Sequence, residues 1–115
     1  MTEAQRLAKR EIKFRAWDGK EMWTGFDIMP AGIIVPPAYK KYKGQLEYMQ
    51  YTGLKDKNGK ETYEGDIVKR TDSTGTVQIK VVRYDQKYCS FDLYNYSKEF
   101  AWKVIGNIYE NPELL

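Results

Sequence analysis

The sequence contains no histidine and only one cysteine, Cys89. Without an imidazole there is no histidine general base, no serine–histidine or cysteine–histidine couple, and no imidazole metal ligand. A single thiol forms no disulfide within the chain and completes no zinc site on its own. We therefore expect no catalytic residue, no metal site and no cofactor, and we expect that the protein is not an enzyme.

Long hydrophobic runs are also missing. No stretch approaches the ~18 apolar residues that a membrane-spanning helix requires, and residues 1–6 lack the apolar run of a signal peptide. A small secreted domain more often carries paired cysteines. The sequence thus predicts a cytoplasmic protein that does not contact membranes. Cys89 alternates with Phe91 and Leu93, a pattern that predicts a small buried residue rather than a reactive thiol.

The residues that are present provide enough apolar material for one core. The 115 residues are 42% hydrophobic and 30% charged, which is typical of a folded domain rather than of a disordered chain. The ten tyrosines are the unusual component. A net charge of +3 permits contact with phosphates, but it is smaller than that of most dedicated nucleic-acid binders.

The clearest local pattern near the N-terminus is a hairpin. Residues 11–17 alternate charged and apolar side chains, which predicts a half-buried strand. Asp18-Gly19 favours a tight turn that leads into a partner strand over residues 20–24. Trp17 and Trp23 flank this turn, and we expect them to pair as an aromatic contact across the hairpin.

The C-terminal third reads as a series of strands. Val77, Ile79 and Val81 alternate with polar residues, and the pattern slips by one residue at Val82, which predicts a β-bulge near Val81-Val82. Turn residues separate strands every eight to twelve residues, as in small barrels and sandwiches. The predicted meander has four strands, at Asp66–Arg70, Gly75–Tyr84, Tyr88–Tyr96 and Trp102–Tyr109. We predict a mainly β fold with a small, partly open SH3-like barrel in its C-terminal half.

Three regions follow from these patterns. Residues 1–10 favour a short helical extension with a thin apolar stripe. Residues 11–38 hold the hairpin and a variable loop that ends at Pro36-Pro37, where two prolines favour an extended conformation. Residues 39–115 form the barrel-like region. The alternative is one continuous domain over residues 11–115.

A resemblance covers nearly the whole chain from residue 12 onward. Residues 49–61 (MQYTGLKDKNGKE) and 63–68 (YEGDIV) resemble the YopX family, as do residues 12–18 (IKFRAWD) and 104–115 (VIGNIYENPELL). The residues that carry the central signature are Tyr51, Thr52, Gly53, Leu54, Asp56, Asn58, Gly59, Tyr63, Glu64, Gly65 and Asp66. Members usually begin close to the Phe-Arg-Ala-Trp run, so residues 1–10 look like an extension. Residues 25–44 match least, as a variable insert does.

The resemblance implies a mainly β protein encoded by a phage or a prophage. It implies no activity, because the family is largely uncharacterised. The residues of the signature therefore have to be judged on their own chemistry.

The signature is rich in carboxylates, which raises the possibility of a metal or an acid–base site. The segment from Asp56 to Gly59 lacks the further ligands of a calcium loop, and Lys55, Lys57 and Lys60 repel a cation. We therefore interpret the signature as a tight turn in which Gly53, Gly59 and Gly65 adopt positive φ and Asp and Asn side chains bond their own backbone.

Glu64 and Asp66 are a second candidate, because residues two apart in a strand share a face. Paired acids on a strand edge are more often solvated than catalytic. An enzyme acting through this pair is consequently the weakest of the function hypotheses.

The leading function hypothesis is a non-enzymatic protein that binds a protein partner or forms a homo-oligomer. Seventeen aromatic side chains exceed what a chain of this length buries, and a partly exposed aromatic face is typical of an interface. The candidate interface residues are Leu7, Tyr88, Tyr94 and Tyr96. The runner-up is a nucleic-acid-binding accessory protein, because a basic patch with interleaved tyrosines suits backbone contact and base stacking. The residues of that patch are Tyr39, Lys40, Lys41, Tyr42 and Lys43.

Overall fold

The computed structural model of the chain describes residues 2–4, 11–24, 27–28, 34–35, 46–93 and 97–115. These residues are mainly β, as predicted, with short 3₁₀ turns at Lys98–Phe100 and Pro112–Leu114. Glu3 and Ala4 are helical, and the rest of the predicted helix, residues 5–10 with Leu7, lies outside the described residues. No helix within the described ranges is long and apolar enough to cross a membrane.

All strand pairs among the described residues are antiparallel. Their bounds are β1 Phe14–Trp17, β2 Met22–Trp23, β3 Asp27–Ile28, β4 Ile34–Val35, β5 Glu47–Lys55, β6 Glu61–Tyr63, β7 Asp66–Thr71, β8 Val77–Val81, β9 Tyr84–Asp85, β10 Ser90–Phe91 and β11 Lys103–Asn107. The larger sheets have the strand orders β2-β1-β5-β6 and β11-β7-β8, and the short pairs are β3-β4 and β9-β10. The β structure includes a curled sheet that has the form of a half-barrel.

The N-terminal hairpin forms where it was predicted. Gly19 has φ 101°, and Asp18 Oδ1 accepts the backbone N–H groups of Lys20 at 2.7 Å and Glu21 at 2.6 Å. Asp18 thus closes the turn with its side chain, as short acidic residues do in turns. Because β1 also pairs with β5, this hairpin extends the first sheet rather than standing apart from it.

The predicted contact between Trp17 and Trp23 is wrong. Trp17 lies opposite Met22 and Trp23 lies opposite Ala16, so the two indoles point to opposite faces of the hairpin. Trp17 stacks on Tyr109, with ring centroids 5.7 Å apart, and Trp23 donates its indole N–H to Asp18 at 2.8 Å. Each indole therefore contacts a residue other than the second tryptophan.

The predicted meander is also wrong in its order and in one strand. β11 pairs with β7, and the predicted strand over residues 75–84 divides into β8 and β9. The register between β7 and β8 is regular as far as Val81, where β8 ends, so the bulge near Val81-Val82 stays a prediction. Val82 still bonds the neighbouring segment, because its N–H reaches the Asp66 carbonyl and its own carbonyl accepts the Gly65 N–H, both at 2.8 Å. Val81 and Val82 are both buried, so the phase slip in the sequence marks the point where side chains on both faces of the strand are covered.

One cluster of the core lies on one face of the sheet formed by β11, β7 and β8. Val68, Val82, Trp102 and Val104 pack together there, with Leu93 against them. On the other face of β8, Val77 is 52% exposed and Ile79 is 47% exposed. The alternation predicted the strand correctly, but it did not predict that these two side chains face outward.

Cys89 is exposed, so the prediction of a buried thiol is wrong. The chain turns over residues 86–89 before β10 begins at Ser90, and Cys89 has φ 52°. A residue inside a turn does not follow strand alternation, which is why the pattern with Phe91 and Leu93 misplaced it. Tyr94 and Tyr96, which were predicted to continue this strand, lie outside the described residues.

Candidate functional site

The turn between β5 and β6 is held by the carboxylate of Asp56. Its Oδ1 atom accepts the N–H groups of Asn58 at 2.9 Å and Lys60 at 2.8 Å, and its Oδ2 atom accepts that of Val104 at 2.9 Å. The hydrogen bond from Val104 ties the turn to β11. The carboxylate is therefore engaged by backbone donors, which agrees with the interpretation of a tight turn.

The other signature residues in this hairpin also bond the backbone. Thr52 donates its hydroxyl to the Thr62 carbonyl at 2.7 Å and accepts the Leu54 N–H at 3.1 Å. The register between β5 and β6 shifts in the same place, between Tyr51 and Lys55. Positive φ angles occur at the three glycines that were predicted to adopt them, Gly53, Gly59 and Gly65.

Beside this hairpin, Arg15 of β1 and Asp66 of β7 form a buried ion pair. Arg15 Nη2 and Asp66 Oδ1 lie 2.7 Å apart, with Arg15 8% exposed and Asp66 1% exposed. Asp66 Oδ2 accepts the Tyr63 N–H at 2.8 Å. The guanidinium also lies over the Tyr63 ring, 4.7 Å from its centroid. This arrangement joins three strands at one point.

The ion pair replaces the solvated pair of acids that was predicted at Glu64 and Asp66. Asp66 faces inward, where burial raises the pKa of its carboxyl while the Arg15 guanidinium acts in the opposite direction. Glu64 lies outside the strand, in the turn between β6 and β7. The two carboxylates consequently share no face, and the reason is that the turn ends the alternation between them.

Glu64 stands between two clefts on the outside of the hairpins. The larger, about 630 Å³, is lined by Gln50, Thr52, Glu64, Tyr84, Cys89, Ser90 and Phe91. The second, about 440 Å³, is lined by residues that include Tyr48, Glu64, Arg83, Tyr84 and Tyr109. Because both share Glu64 and Tyr84, we treat them as one surface, the tyrosine cleft.

The aromatic walls of the tyrosine cleft are held in place but remain open to solvent. Tyr84 packs edge-on against Phe91, with ring centroids 5.5 Å apart, and is still 47% exposed. Tyr48 is exposed to the same extent. Tyr109 stacks on Trp17, and its pKa is raised by burial and then by the nearby charges of Glu47 and Glu64. A fixed ring with an open face offers contact area at little cost in side-chain entropy.

Glu64 gives the tyrosine cleft its charge. Its Oε1 atom accepts the Gln50 N–H at 3.0 Å, which fixes the side chain against β5. Within the described lining, Glu64 is the only charged residue of the larger cleft, and Arg83 is the other charged residue of the smaller one. The surface can therefore receive apolar or aromatic groups together with a cation.

Of the four predicted interface residues, the one within the described part of the chain, Tyr88, does not line this cleft. Tyr88 is 66% exposed in the turn beside it. Outside the described residues lie Leu7, Tyr94, Tyr96 and the whole basic patch, Tyr39, Lys40, Lys41, Tyr42 and Lys43. Sequence reasoning missed Tyr48, Tyr84 and Tyr109, which lie in β5, in β9 and after β11, because no local pattern connects such distant segments.

Comparisons with known proteins identify relatives of this chain. The model of the YopX protein family matches residues 35–115, which include the tyrosine cleft apart from its contact to Trp17. The chain belongs to the YopX family. The predicted resemblance is thereby confirmed, although its first block, residues 12–18, lies before the matched range.

Solved structures agree with the assignment to the YopX family. Protein EF1440 from Enterococcus faecalis is 31% identical, with a TM-score of 0.61, over 91% of this chain and 98% of that one. Protein yopX from Bacillus subtilis is 23% identical, with a TM-score of 0.56, over 90% of this chain and 97% of that one, and it shows the fold. No curated protein matches the chain.

Proposed function

We propose that this YopX-type protein acts without catalysis, by binding a segment of a protein partner in the tyrosine cleft. The observation that carries the proposal is the pair of half-exposed tyrosines, Tyr48 and Tyr84, in a lining that they share with Glu64. Tyrosines whose ring packs on one side and is exposed to solvent on the other are enriched at protein interfaces. The partner segment carries apolar or aromatic side chains and a lysine or arginine.

The basic residue of the partner is argued from Glu64. Since Oε1 is used by Gln50, the carboxylate is oriented, and Oε2 accepts no hydrogen bond within the described part of the chain. A cation that reaches it is partly shielded from water by Tyr84, and a charge-assisted hydrogen bond gains strength when it is desolvated. Glu64 therefore supplies specificity, while the tyrosine rings supply contact area.

The absence of catalysis is supported by how the carboxylates of the signature are used. Asp56 accepts three backbone N–H groups, and Asp66 is paired with Arg15 and bonded to the Tyr63 N–H. A general acid or base needs a proton position within reach of substrate. Both groups instead hold strands together. The sequence adds that no histidine is present to act as a base.

The proposal places the protein among phage or prophage proteins of the cytoplasm. The phage origin is supported by what the family resemblance implies, and the location is supported by the single cysteine.

The alternative is nucleic-acid binding through Tyr39, Lys40, Lys41, Tyr42 and Lys43. It stays a prediction, because these residues lie outside the described ones. The larger cleft does not favour it, since Glu64, its one charged side chain within the described lining, repels phosphate. Oligonucleotide affinity that falls with salt and with replacement of the three lysines is the result that would support it.

Selection from a displayed library of random peptides tests the tyrosine cleft. We expect enriched sequences that combine aromatic or aliphatic residues with lysine or arginine. The Tyr84→Ala variant is expected to weaken binding of an enriched peptide by about tenfold or more, as truncation of an interface tyrosine typically does. The Glu64→Gln variant is expected to lower affinity for peptides with the basic residue only.

The matched control is Tyr88→Ala, because Tyr88 is more exposed than Tyr84 and does not line the cleft. Enriched peptides that bind Tyr84→Ala and Tyr88→Ala equally well would place their binding elsewhere. A selection that enriches nothing over the Tyr84→Ala protein would also reject the proposal.

A further inference from the structure

A third cavity, of about 510 Å³, lies beside the buried ion pair, and we call it the Arg15 cavity. Arg15 lies opposite Met49 in the pairing of β1 with β5, and successive side chains along a strand point to opposite faces. Arg15 and Gln50 of the tyrosine cleft are therefore on opposite faces of the first sheet. Within the described linings, the Arg15 cavity and the tyrosine cleft have no residue in common. A cavity of this size suits a small organic molecule.

Arg15 brings hydrogen-bond donors without acceptors to this cavity. The residue is only 8% exposed, and it lines the cavity. Its Nη2 atom donates to Asp66, whereas Nε and Nη1 donate to no acceptor within the described part of the chain. Buried donors without an acceptor are rare in folded proteins, and each marks a place where a ligand or an ordered water molecule belongs. An acceptor atom in the cavity would satisfy the guanidinium.

Lys60 adds a cation at the rim of the cavity. It is exposed, in contrast to Arg15, and its ammonium group forms no ion pair with any described residue. Burial raises the pKa of Asp66, and the charge of Lys60 is among those that act against this shift. The ammonium group therefore lies near the buried pair, where it can bind the same ligand as the guanidinium.

The charges around the cavity leave one positive charge in excess. The charged residues of the described lining are Lys13, Arg15, Lys60 and Glu61. Asp66, buried against Arg15, adds a second negative charge. Glu11 also pairs with Lys13, but its side chain is 65% exposed and does not line the cavity, so water and salt screen it. A ligand with one negative charge balances the excess, whereas a dianion is also repelled by Glu61.

The remaining walls are apolar. Tyr63 is buried, and its ring lies 4.7 Å from the Arg15 guanidinium. Met22 is half-buried on the edge strand β2. A tyrosine ring and a thioether both make favourable contacts with a flat aromatic group. The walls therefore favour a ligand with an aromatic body beside its charged end.

We propose that the Arg15 cavity binds a small aromatic carboxylate. The carboxylate accepts hydrogen bonds from Arg15 and Lys60, and the ring lies against Tyr63 and Met22. Charge-assisted hydrogen bonds of this kind gain strength where water is partly excluded. Because the ligand supplies an acceptor to a buried guanidinium of the folded chain, binding also stabilises the fold.

NMR titration of the chain with phenylacetate tests the proposal. The ¹H–¹⁵N resonances of the residues around the cavity, including the Nε–H of Arg15, are expected to shift and to saturate at about millimolar concentration, as for a weak small ligand. Phenylacetamide has the same ring without the charge, and it should bind about tenfold more weakly. Phenyl phosphate, a dianion near neutral pH, should also bind more weakly than phenylacetate.

Substitutions of Lys60 test the site without removing the buried pair. Lys60→Met keeps the length of the side chain but removes the ammonium group, and it should weaken phenylacetate binding about tenfold. Lys60→Arg should retain binding. The matched control is Lys57→Met, because Lys57 is an equally exposed lysine of the same turn that does not line the cavity.

Four results overturn the proposal. They are the absence of shifts at millimolar phenylacetate, equal binding of the acid and the amide, tighter binding of phenyl phosphate than of phenylacetate, and equal affinities of the Lys60→Met and Lys57→Met variants. Tyr84→Ala should leave phenylacetate binding unchanged, since Tyr84 does not line this cavity. Failure of carboxylate binding and failure of peptide binding are therefore distinguishable.

Discussion

Asp66 shows how much one side chain contributes when it is buried with its partner. It meets Arg15 at 2.7 Å and also accepts the Tyr63 N–H. Asp66→Asn keeps an oxygen for that N–H but leaves the guanidinium buried without a counter-charge. Removing one member of a buried pair typically costs about 3–5 kcal/mol. We expect a loss of this order in the free energy of unfolding, measured by urea denaturation.

The matched control for this prediction is the double variant Arg15→Met with Asp66→Asn. It removes both charges and keeps the aliphatic volume near the Tyr63 ring, so its loss should be smaller than that of Asp66→Asn alone. If Asp66→Asn changed stability by no more than about 0.5 kcal/mol, as an ordinary surface substitution does, the ion pair would not stabilise the fold.

The sequence allowed local residue roles to be predicted better than distant ones. The turn roles of Asp18 and Gly59 follow from their nearest neighbours, and both are observed. The partner of Asp66 is 51 residues away, and strand alternation contains no information on which strand will pack beside which. For the same reason the tyrosine cleft was not predicted, because it gathers residues of separate hairpins.

At the level of elements, the turn between β6 and β7 depends on Gly65. It has φ 86°, a conformation that costs a residue with a side chain about 1–2 kcal/mol. A Cβ atom there would also lie 3.2 Å from Met49 Sδ. Gly65 is buried, its N–H reaches the Val82 carbonyl, and its carbonyl accepts the Ile108 N–H. The turn therefore lies between two strands that both depend on its position.

Gly65→Ala is accordingly expected to destabilise the chain more than Gly75→Ala does. Gly75 has the same φ of 86° but is exposed, with nothing near the site of an added Cβ. The cost of positive φ is common to both, so the difference reports the packing of the added Cβ against Met49 and Ile108. Thermal unfolding of the two variants measures it. Equal shifts in Tm would contradict the packing argument.

Hairpins were predicted from the sequence more reliably than their assembly. Asp18-Gly19 and Asn58-Gly59 mark turns, because the residues that permit positive φ are few. The pairing of β11 with β7 joins segments that turn chemistry does not connect. The burial of both Val81 and Val82 was visible only as a phase slip, which a bulge explains equally well. Which face of β8 is covered depends on Trp102, far along the chain.

On the scale of the molecule, contacts between distant segments join the two larger sheets. Trp17 of β1 stacks on Tyr109 beyond β11, and the Asp56 carboxylate holds the Val104 N–H. Gly65 donates its N–H to the Val82 carbonyl and accepts the Ile108 N–H at its own carbonyl. Because of these links between the N-terminal hairpin and the C-terminal strands, we predict one continuous domain over residues 11–115, the alternative to a boundary at residue 38.

Cooperative unfolding is the expected consequence, and the three tryptophans allow it to be measured. A variant that retains only Trp17 reports on the N-terminal hairpin, and a variant that retains only Trp102 reports on the core beside Val68. In each variant, fluorescence and far-UV circular dichroism should give the same urea midpoint, because a two-state domain loses all its structure together. Comparison within one variant removes the effect of the substitutions on stability. A Trp17 signal that changes at lower urea than the dichroism would show that the hairpin unfolds first and that residues 11–38 are a separate unit.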